Sequence, residues 1–344
     1  MTADTTIRLG VLGCGAIARR FLPWLVASPS VRVAAVASRD RRRAEELSEA
    51  ANAGIEAVEG YGTLLARADI DAVYVCLPNV LHAEWSLRAI DAGKHVLVEK
   101  PMATGYAEAE AMTSRAAAAG VQLWENRMFA HHGQHDRVRR LVAEGVIGEL
   151  RVVHSAMAIP PQPPDNIRYS RALGGGALLD VGFYAVHGAL LFLDRHTEVL
   201  GSTLLYQSGP DGVDLGGAAV LGDDSGVLGQ ITFGFQHSYR SYYELWGSEG
   251  RLLVERAFTP PPDFAPLVAL ERGGRTERLD LPPENQFGAF LASFTAAVHG
   301  ELDHTPQTET ALCGARLLEA IRVRAARPVD LDSPQPPRTP LEVS

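Results

Sequence analysis

The chain has 344 residues, of which 46% are hydrophobic and 21% are charged, so it is expected to fold around more than one core. Its formal charge of -9 argues against nucleic-acid binding, and its three cysteines form no C-x-x-C pair that would indicate a zinc site or a disulfide framework. No signal peptide is visible, and polar side chains interrupt the longest apolar stretch, 177–193, so we expect a cytoplasmic protein with no metal and no membrane partner.

The first 126 residues alternate short apolar runs with amphipathic helical patterns. Strands are predicted at 7–12, 31–37, 72–76, 95–98 and 121–124, and helices at 16–26, 41–51, 80–92 and 106–119. This alternation predicts an α/β fold with a parallel Rossmann sheet, in which ligands bind beyond the carboxyl ends of the strands.

The turn after the first strand reads VLGCGAIARRF and has the G-x-G-x-x-G/A pattern of a dinucleotide site. Gly13 permits a tight turn, Gly15 allows close approach of a pyrophosphate, and Ala18 lets the helix pack against the strand. Ala16 and Ile17 open the helix, whose free N–H groups favour an anion. The turn therefore predicts a nucleotide site, and its position in the first strand–turn–helix unit supports that interpretation.

The end of the second strand indicates which cofactor is bound. Ser38 and Arg39 stand where an acidic residue would bind a ribose 2′-OH, and a basic run that includes Arg43 follows. A hydroxyl and a guanidinium suit a 2′-phosphate, so NADP is favoured over NAD. A solvated helix start capped by Asp40 is the alternative, and it fits some of these arginines but not Arg39.

The strand at 95–98 ends on Glu99, Lys100 and Pro101. At the end of a central strand, the acid and the base would lie beside the nicotinamide, and Pro101 would restrict the backbone of the lysine. A lysine in that place can polarise a carbonyl group or assist a proton donor. An exposed ion pair that ends a strand is the alternative.

From about residue 149 the pattern changes to strands joined by short turns, which predicts an α+β domain with a mostly antiparallel open sheet. We expect a first domain at 1–126, a second at 127–326 whose last helices pack back on the first domain, and an extended or disordered tail at 327–344. The predicted strands of this second half are 150–159, 199–207, 218–221, 227–235, 242–246, 252–255 and 267–271, and its late helices are 286–299 and 309–326.

A helix in this half carries Asp180, Tyr184 and His187 at positions i, i+4 and i+7, which share one side of an α-helix. Polar groups on an apolar helix must meet partners or a cavity, either in a site or as satisfied core groups. Two further stretches offer Arg168 and Tyr169, which suit a diphosphate and a base or sugar, and Gln236 near a strand end. A plain surface loop or sheet edge is the alternative for these.

Several motifs, in this order, resemble the Gfo/Idh/MocA family of NAD(P)-dependent oxidoreductases. They are GCGAIA, LPNVLHAEW, AGKHVLVEKP and ENRMFAHH. In the second half, IPPQPPDNIRY, GGGALLDVGFY and FTPP resemble the nucleotide-diphosphate-sugar 3-ketoreductases of deoxysugar biosynthesis. The resemblance spans roughly residues 7–325.

The resemblance implies NADPH as hydride donor, a dTDP-linked keto sugar as substrate, and a homodimer or homotetramer formed through the open sheet. It implies that Lys100 is the active-site lysine and that Glu99 lies beside the nicotinamide. The cofactor-binding positions that it implies are Leu77, Pro78, Asn79, His82, Asn126 and Arg127. Asp180 and His187, together with Arg168, Tyr169 and Gln236, are the substrate-binding candidates.

Tyr184 stands where many family members carry a histidine, and the 3-ketoreductases also have tyrosine at this place. We therefore expect Tyr184 to donate a proton to the developing alkoxide, and Lys100 to stabilise that alkoxide. Two other functions stay open: a dehydrogenase of free sugars, inositols or dihydrodiols, and a cofactor-sensing regulator that has lost catalysis.

Overall fold

The computed structural model describes residues 6–207 and 212–325, and the backbone of Val329 and Asp330. Within these residues the chain forms two sheets, each covered by helices. The predicted fold class is confirmed: a parallel Rossmann sheet is followed by a mostly antiparallel sheet.

The first sheet has six parallel strands in the order β3-β2-β1-β4-β5-β6. The strands are β1 (Ile7–Leu12), β2 (Val31–Ser38), β3 (Glu56–Glu59), β4 (Ala72–Val75), β5 (His95–Val98) and β6 (Leu123–Glu125). The connecting helices are α1 (Ala16–Ala27), α2 (Arg41–Ala51), α3 (Tyr61–Leu65), α4 (His82–Asp91) and α5 (Tyr106–Ala119). The strand order reverses between β1 and β4, which is where such sheets bind ligands.

The second sheet has nine strands in the order β14-β13-β12-β11-β7-β10-β9-β8-β15, and only the pairs β7–β10 and β8–β15 are parallel. Its strands are β7 (Leu150–Ala158), β8 (Glu198–Tyr206), β9 (Asp214–Gly222), β10 (Leu228–Gly234), β11 (Arg240–Gly247), β12 (Gly250–Glu255), β13 (Leu267–Arg272), β14 (Arg275–Leu279) and β15 (Val329–Asp330). The helices are α6 (Gly133–Ala143), α7 (Phe183–Ala189), α8 (Gln286–Val298) and α9 (Thr305–Arg324), and a π-helical turn, Leu178–Gly182, leads into α7.

The nine-stranded sheet has one covered face and one open face. Along β10 exposed and buried residues alternate, and Ile231 and Phe233 point towards the helices, into a core that also contains Tyr243 of β11. Trp246, which is 55% exposed, and Leu228, which is 40% exposed, lie on the other face.

The late helix α8 packs against the first domain. The ring of Phe287 stacks on Phe21 of α1 with centroids 4.5 Å apart, and Phe290 and Phe294 lie 5.8 and 6.0 Å from Trp124 of β6. These contacts join the end of the chain to the parallel sheet.

Five elements are absent from the sequence-based prediction: β3, α3, α6, β14 and β15. β3 and β14 are short and rich in charged residues, and α6 buries only a narrow apolar side formed by Val138 and Leu141 beside two polar residues. In the predicted tail, β15 pairs in parallel with β8, and residues 327–328 and 331–344 lie outside the described part.

Among the described residues, no helix combines the length and apolar character needed to cross a bilayer. A search of the same residues finds no group of three or more histidine, cysteine, aspartate or glutamate side chains arranged to hold a metal ion.

Candidate active site

The glycine turn leaves the start of α1 open to a ligand. Gly13 has φ +106°, and a Cβ there would lie 2.5 Å from the carbonyl oxygen of Cys76, so only glycine fits. Gly15 is the N-cap of α1 and has no neighbour within 4 Å of where a Cβ would stand. Ala18 is buried against the sheet, whereas Ala16 and Ile17 are exposed at the turn. These features fit a pyrophosphate at the helix N-terminus.

Among the residues that the structure describes, the end of β2 supplies one arginine, Arg39, without a carboxylate partner. In the ion pairs of the residues described here, Arg41 pairs with Glu45, Arg42 with Glu46 and Arg43 with Asp40. Arg39 has no carboxylate partner in that set and lies near the phenol of Tyr61. Ser38 is buried, and its hydroxyl oxygen accepts a hydrogen bond from the backbone N–H of Asp40 at 3.2 Å. Ser38 and Arg39 therefore fit a phosphate better than a diol.

Glu99, at the end of β5, is held inside the sheet. Its Oε1 accepts hydrogen bonds from the phenol of Tyr74 and from Asn126 Nδ2, the latter at 2.6 Å. Its Oε2 accepts one from the backbone N–H of Lys100 at 3.3 Å. Burial and the Glu99 charge hold the pKa of Tyr74 well above its usual value, so the phenol stays a donor.

The Lys100 side chain crosses from the end of β5 to the second domain, at the junction of the two domains that we call the cleft. Its Nζ donates to Asp180 Oδ1 at 2.6 Å and to the Asp180 carbonyl oxygen at 3.0 Å. Asp180 Oδ2 accepts from Arg168 Nε at 2.5 Å, so this carboxylate bridges two cations. Burial alone would lower the pKa of Lys100, but Asp180, with smaller contributions from Tyr184 and Glu99, raises it above its usual value. The lysine is therefore a cation at neutral pH.

Tyr184 lies beside the same ammonium group, which is 5.0 Å from the centre of its ring. The ring packs among Phe129, Phe183 and Phe258, with centroids 5.7 to 5.8 Å apart. Burial raises the pKa of Tyr184 and the Lys100 charge offsets only part of the rise. The phenol has no hydrogen-bond partner among the described residues, so it is a protonated donor available to a ligand.

The helix that carries Asp180 and Tyr184 starts with a wide turn. Asp214 of β9 accepts a hydrogen bond from the backbone N–H of Leu178 at 2.6 Å and so caps this start, and burial raises the pKa of Asp214 to about 6. The π-helical turn holds Asp180 and Tyr184 at Lys100 but breaks the regular α-helical spacing. His187 lies elsewhere, 3.8 Å from Glu125 and packed against Gly314 of α9.

Glu125, which the sequence did not single out, supports the turn after Lys100. Its Oε1 accepts a hydrogen bond from the backbone N–H of Met102 at 2.8 Å, and its Oε2 lies 3.3 Å from Arg127 Nε. Burial raises the pKa of Glu125 to about 7, against the lowering effect of Arg127. Only the tertiary structure brings β6 beside this turn.

The other predicted site residues lie at separate places. Asn79 donates to the Gly174 carbonyl oxygen at 2.8 Å, which joins the loop with Leu77 and Pro78 to the second domain. His82 is buried with its ring nitrogens 2.7 Å from the carbonyl oxygens of Leu77 and Pro101, so it links the loop at Leu77 to the turn at Pro101.

Arg127 is also buried away from the glycine turn, where it donates to the carbonyl oxygen of Gln307 at 2.6 Å. The hydroxyl of Tyr169 accepts from the backbone N–H of Gln162, and its ring lies 5.9 Å from Phe235. Gln236 follows Phe235 and is exposed, so it contributes no described contact to the Lys100 cluster. The structure thus brings together Lys100 and Tyr184 with the substrate candidates Asp180 and Arg168.

Two family models match the chain. Residues 7–127 match the Gfo/Idh/MocA oxidoreductase family model for an NAD-binding Rossmann fold, and residues 135–253 match the Gfo/Idh/MocA C-terminal domain.

Relatives match over nearly the whole chain. A dTDP-3,4-didehydro-2,6-dideoxy-alpha-D-glucose 3-reductase of Actinomadura kijaniata is 46% identical over 93% of this chain and 96% of the relative. One of the same name from Saccharopolyspora spinosa is 46% identical over 84% of this chain and 86% of the relative. The crystal structure of a 3-ketoreductase from Actinomadura kijaniata in complex with NADP and TDP-benzene superposes with a TM-score of 0.91, at 45% identity over 95% of this chain and 99% of that one.

Glu125→Gln is expected to change how stability depends on pH. Because the pKa of Glu125 is raised in the folded protein to about 7 from the usual 4.5, its stabilising contribution is complete below pH about 4.5 and is lost as the pH rises to about 7. Glutamine cannot titrate. The free energy of unfolding of the variant, measured with urea, should therefore rise relative to the wild type between pH 5 and 7, by at most about 1.4 kcal/mol per pH unit.

The matched control is Glu277→Gln, at an exposed position of β14. The free energy of unfolding of this variant should differ from that of the wild type by the same amount at every pH. A difference between Glu125→Gln and the wild type that is constant from pH 5 to 8 would mean that Glu125 does not titrate in this range.

Proposed function

The chain belongs to the Gfo/Idh/MocA family of oxidoreductases, and on that premise we propose that it uses NADPH to reduce the C3 ketone of a dTDP-linked keto-deoxyhexose. The observation that carries the proposal is the convergence of the Lys100 ammonium and the Tyr184 ring, 5.0 Å from nitrogen to centroid, beside the end of β5. The two most similar relatives described above are named as reductases of the 3-position of such a sugar.

The described residues fit NADPH. The pyrophosphate has the open start of α1 at Gly13 and Gly15, and the 2′-phosphate has Ser38 and the guanidinium of Arg39, which has no carboxylate partner among the described residues. NADPH bound along the carboxyl ends of the strands supplies the hydride for C3 of the sugar.

The chain's own residues supply the proton and the charge. As the C3 oxygen gains negative charge, the phenol of Tyr184 donates its proton to that oxygen and the product is an alcohol. Lys100 stabilises the negative charge, first on the substrate oxygen and then on the phenolate. Asp180 fixes the position of the ammonium group, and the aromatic rings packed around Tyr184 fix the position of its ring.

Arg168 is suited to the diphosphate of the sugar nucleotide. Its Nε is engaged by Asp180, its Nη1 makes only a long hydrogen bond of 3.4 Å to Asn166, and its side chain is 35% exposed. Tyr169, next in the chain, lies at the same loop and can contact the base or the sugar.

The open face of the second sheet is proposed as the interface of a homodimer or homotetramer. It presents Trp246, Leu228, Val220 and Leu200, each between 40% and 59% exposed. Exposed apolar residues in such a row are typical of a protein–protein contact.

Tyr184→Phe should lower kcat about a hundredfold or more, because it removes the proton donor but keeps the ring. Lys100→Met should do the same, and both variants should bind NADPH within about threefold of the wild type, as measured by cofactor fluorescence. Tyr106→Phe, on the surface of α5, is the control and should keep full turnover. Near-normal kcat in Tyr184→Phe would assign the proton to another group. Turnover of free sugars with NADP⁺, and none of the dTDP-keto sugar, would favour a dehydrogenase instead.

Arg39→Ala should raise the KM for NADPH about tenfold to a hundredfold and leave the KM for NADH nearly unchanged, because only NADPH carries the 2′-phosphate. The control is Arg42→Ala, whose guanidinium already faces Glu46 at 3.8 Å. Equal effects of Arg39→Ala on both cofactors would contradict the assignment of this arginine.

Trp246→Asp should lower the molecular mass measured by light scattering, since it places a charge in the proposed apolar interface. Trp24→Asp makes the same change at an exposed tryptophan of α1, and should leave the mass unchanged. A wild-type protein that is monomeric at every concentration measured would overturn the proposed interface.

A further inference from the structure

A second cavity lies between α6, α7, α8 and α9 and has a volume of about 520 Å³. Its polar lining includes Arg127, His131, Asp136, Arg139, His187 and Gln307, and neither Lys100 nor Tyr184 borders it. We call it the helical cavity. Ligand sites are typically between about 300 and 1,000 Å³, so it can hold a small metabolite.

Several polar atoms at this cavity lack partners. Among the residues that the structure describes, Gln307 Nε2 and both ring nitrogens of His187 are buried without a hydrogen bond, and Arg127 Nε makes none either, although it forms an ion pair with Glu125 Oε2 at 3.3 Å. Arg127 and His187 are each 97% buried, as their 3% exposure shows. An arginine Nε and an amide nitrogen can only donate, and a neutral imidazole presents one N–H. A ligand that satisfies these atoms must therefore offer mainly hydrogen-bond acceptors.

The charges around the cavity also favour an acceptor. Asp136, which lines it, is already engaged by Arg139 at 2.5 Å. Glu125 lies behind Arg127, outside the lining, with its Oε2 3.3 Å from Arg127 Nε, and burial raises the pKa of this carboxyl, which weakens its negative charge. The guanidinium of Arg127 is thus only partly neutralised by its neighbours.

The first turn of α9 adds a further donor surface. Pro306 and Gln307 of this turn and Thr310 of the next line the cavity, and the N-cap residue His304 makes no side-chain capping bond. The backbone N–H of Thr305 donates to Asp303 Oδ1 at 2.9 Å. α9 has 20 residues, so the positive end of its dipole faces this space. The dipole, the partly neutralised arginine and the unpartnered donors point to the same ligand chemistry.

We propose that the helical cavity is a second binding site, which holds the phosphate or carboxylate group of a small anionic metabolite between Arg127, His187 and the first turn of α9. The site is separate from the reduction of the keto sugar, and its occupancy does not require that the proposed function be correct.

The test is a titration of the full chain by calorimetry with inorganic phosphate and, separately, with malonate, at constant ionic strength. Saturating NADP and dTDP are present, so that the glycine turn, Arg39 and Arg168 are occupied. Saturable binding is expected, and Gln307→Leu and Arg139→Gln should each weaken it at least tenfold. The anion that binds more tightly identifies whether the bound group of the metabolite is a phosphate or a carboxylate.

The control is Arg140→Gln, which removes the same charge from an exposed position of α6 that does not line the cavity, and it should bind like the wild type. A crystal of the wild type grown with the tighter anion should show it within hydrogen-bond distance of Gln307 Nε2. Absence of saturable binding, an equal loss in Arg140→Gln, or ordered water alone at that place would each overturn the proposal.

Discussion

The hydrogen-bonded ion pair between Lys100 and Asp180 is the contact on which the cleft depends. It joins a residue at the end of the parallel sheet to one at the start of the helix in the second domain, over 2.6 Å. Both side chains are less than one-fifth exposed, and a charge so buried is costly without a partner. Because Asp180 also holds Arg168 at 2.5 Å, one carboxylate positions the proposed catalytic cation and the cation proposed for the diphosphate.

Tyr184 acquires its role from this same contact. The π-helical turn that contains Asp180 precedes α7, and Asp214 caps its start, so fixing Asp180 on Lys100 also fixes the phenol one turn further along. Unlike the lysine, the phenol is surrounded by rings and has no polar partner among the described residues. The ammonium group of Lys100 is paired with Asp180, and the neighbouring phenol of Tyr184 is a neutral donor without a hydrogen-bond partner among the described residues. Reduction of a carbonyl group needs such a cation and such a proton donor side by side.

Local sequence patterns predicted the parts of the site that local chemistry determines. The glycine turn, the basic end of β2 and Lys100 each stand at the end of a predicted strand, and their residue types identify them. The role of Glu125 and the cap by Asp214 could not be predicted, because β6 and β9 approach their partners only in the folded chain. His187 illustrates the opposite problem: its spacing placed it on one side of a regular α-helix with Asp180 and Tyr184, but the turn that contains Asp180 is a π-helix, and the His187 ring lies against α9.

The adjacent acid and base at the end of β5 have different tasks because an extended backbone sends neighbouring side chains to opposite sides. Glu99 points into the sheet, where Tyr74 of β4 and Asn126, which follows β6, donate to it, so it joins three neighbouring strands at their carboxyl ends. Lys100 then points out, into the cleft. Glu125 accepts a hydrogen bond from the backbone N–H of Met102, two residues after the lysine. The strand end is thus anchored on both sides of the lysine by buried carboxylates, and Asp180 positions the lysine side chain.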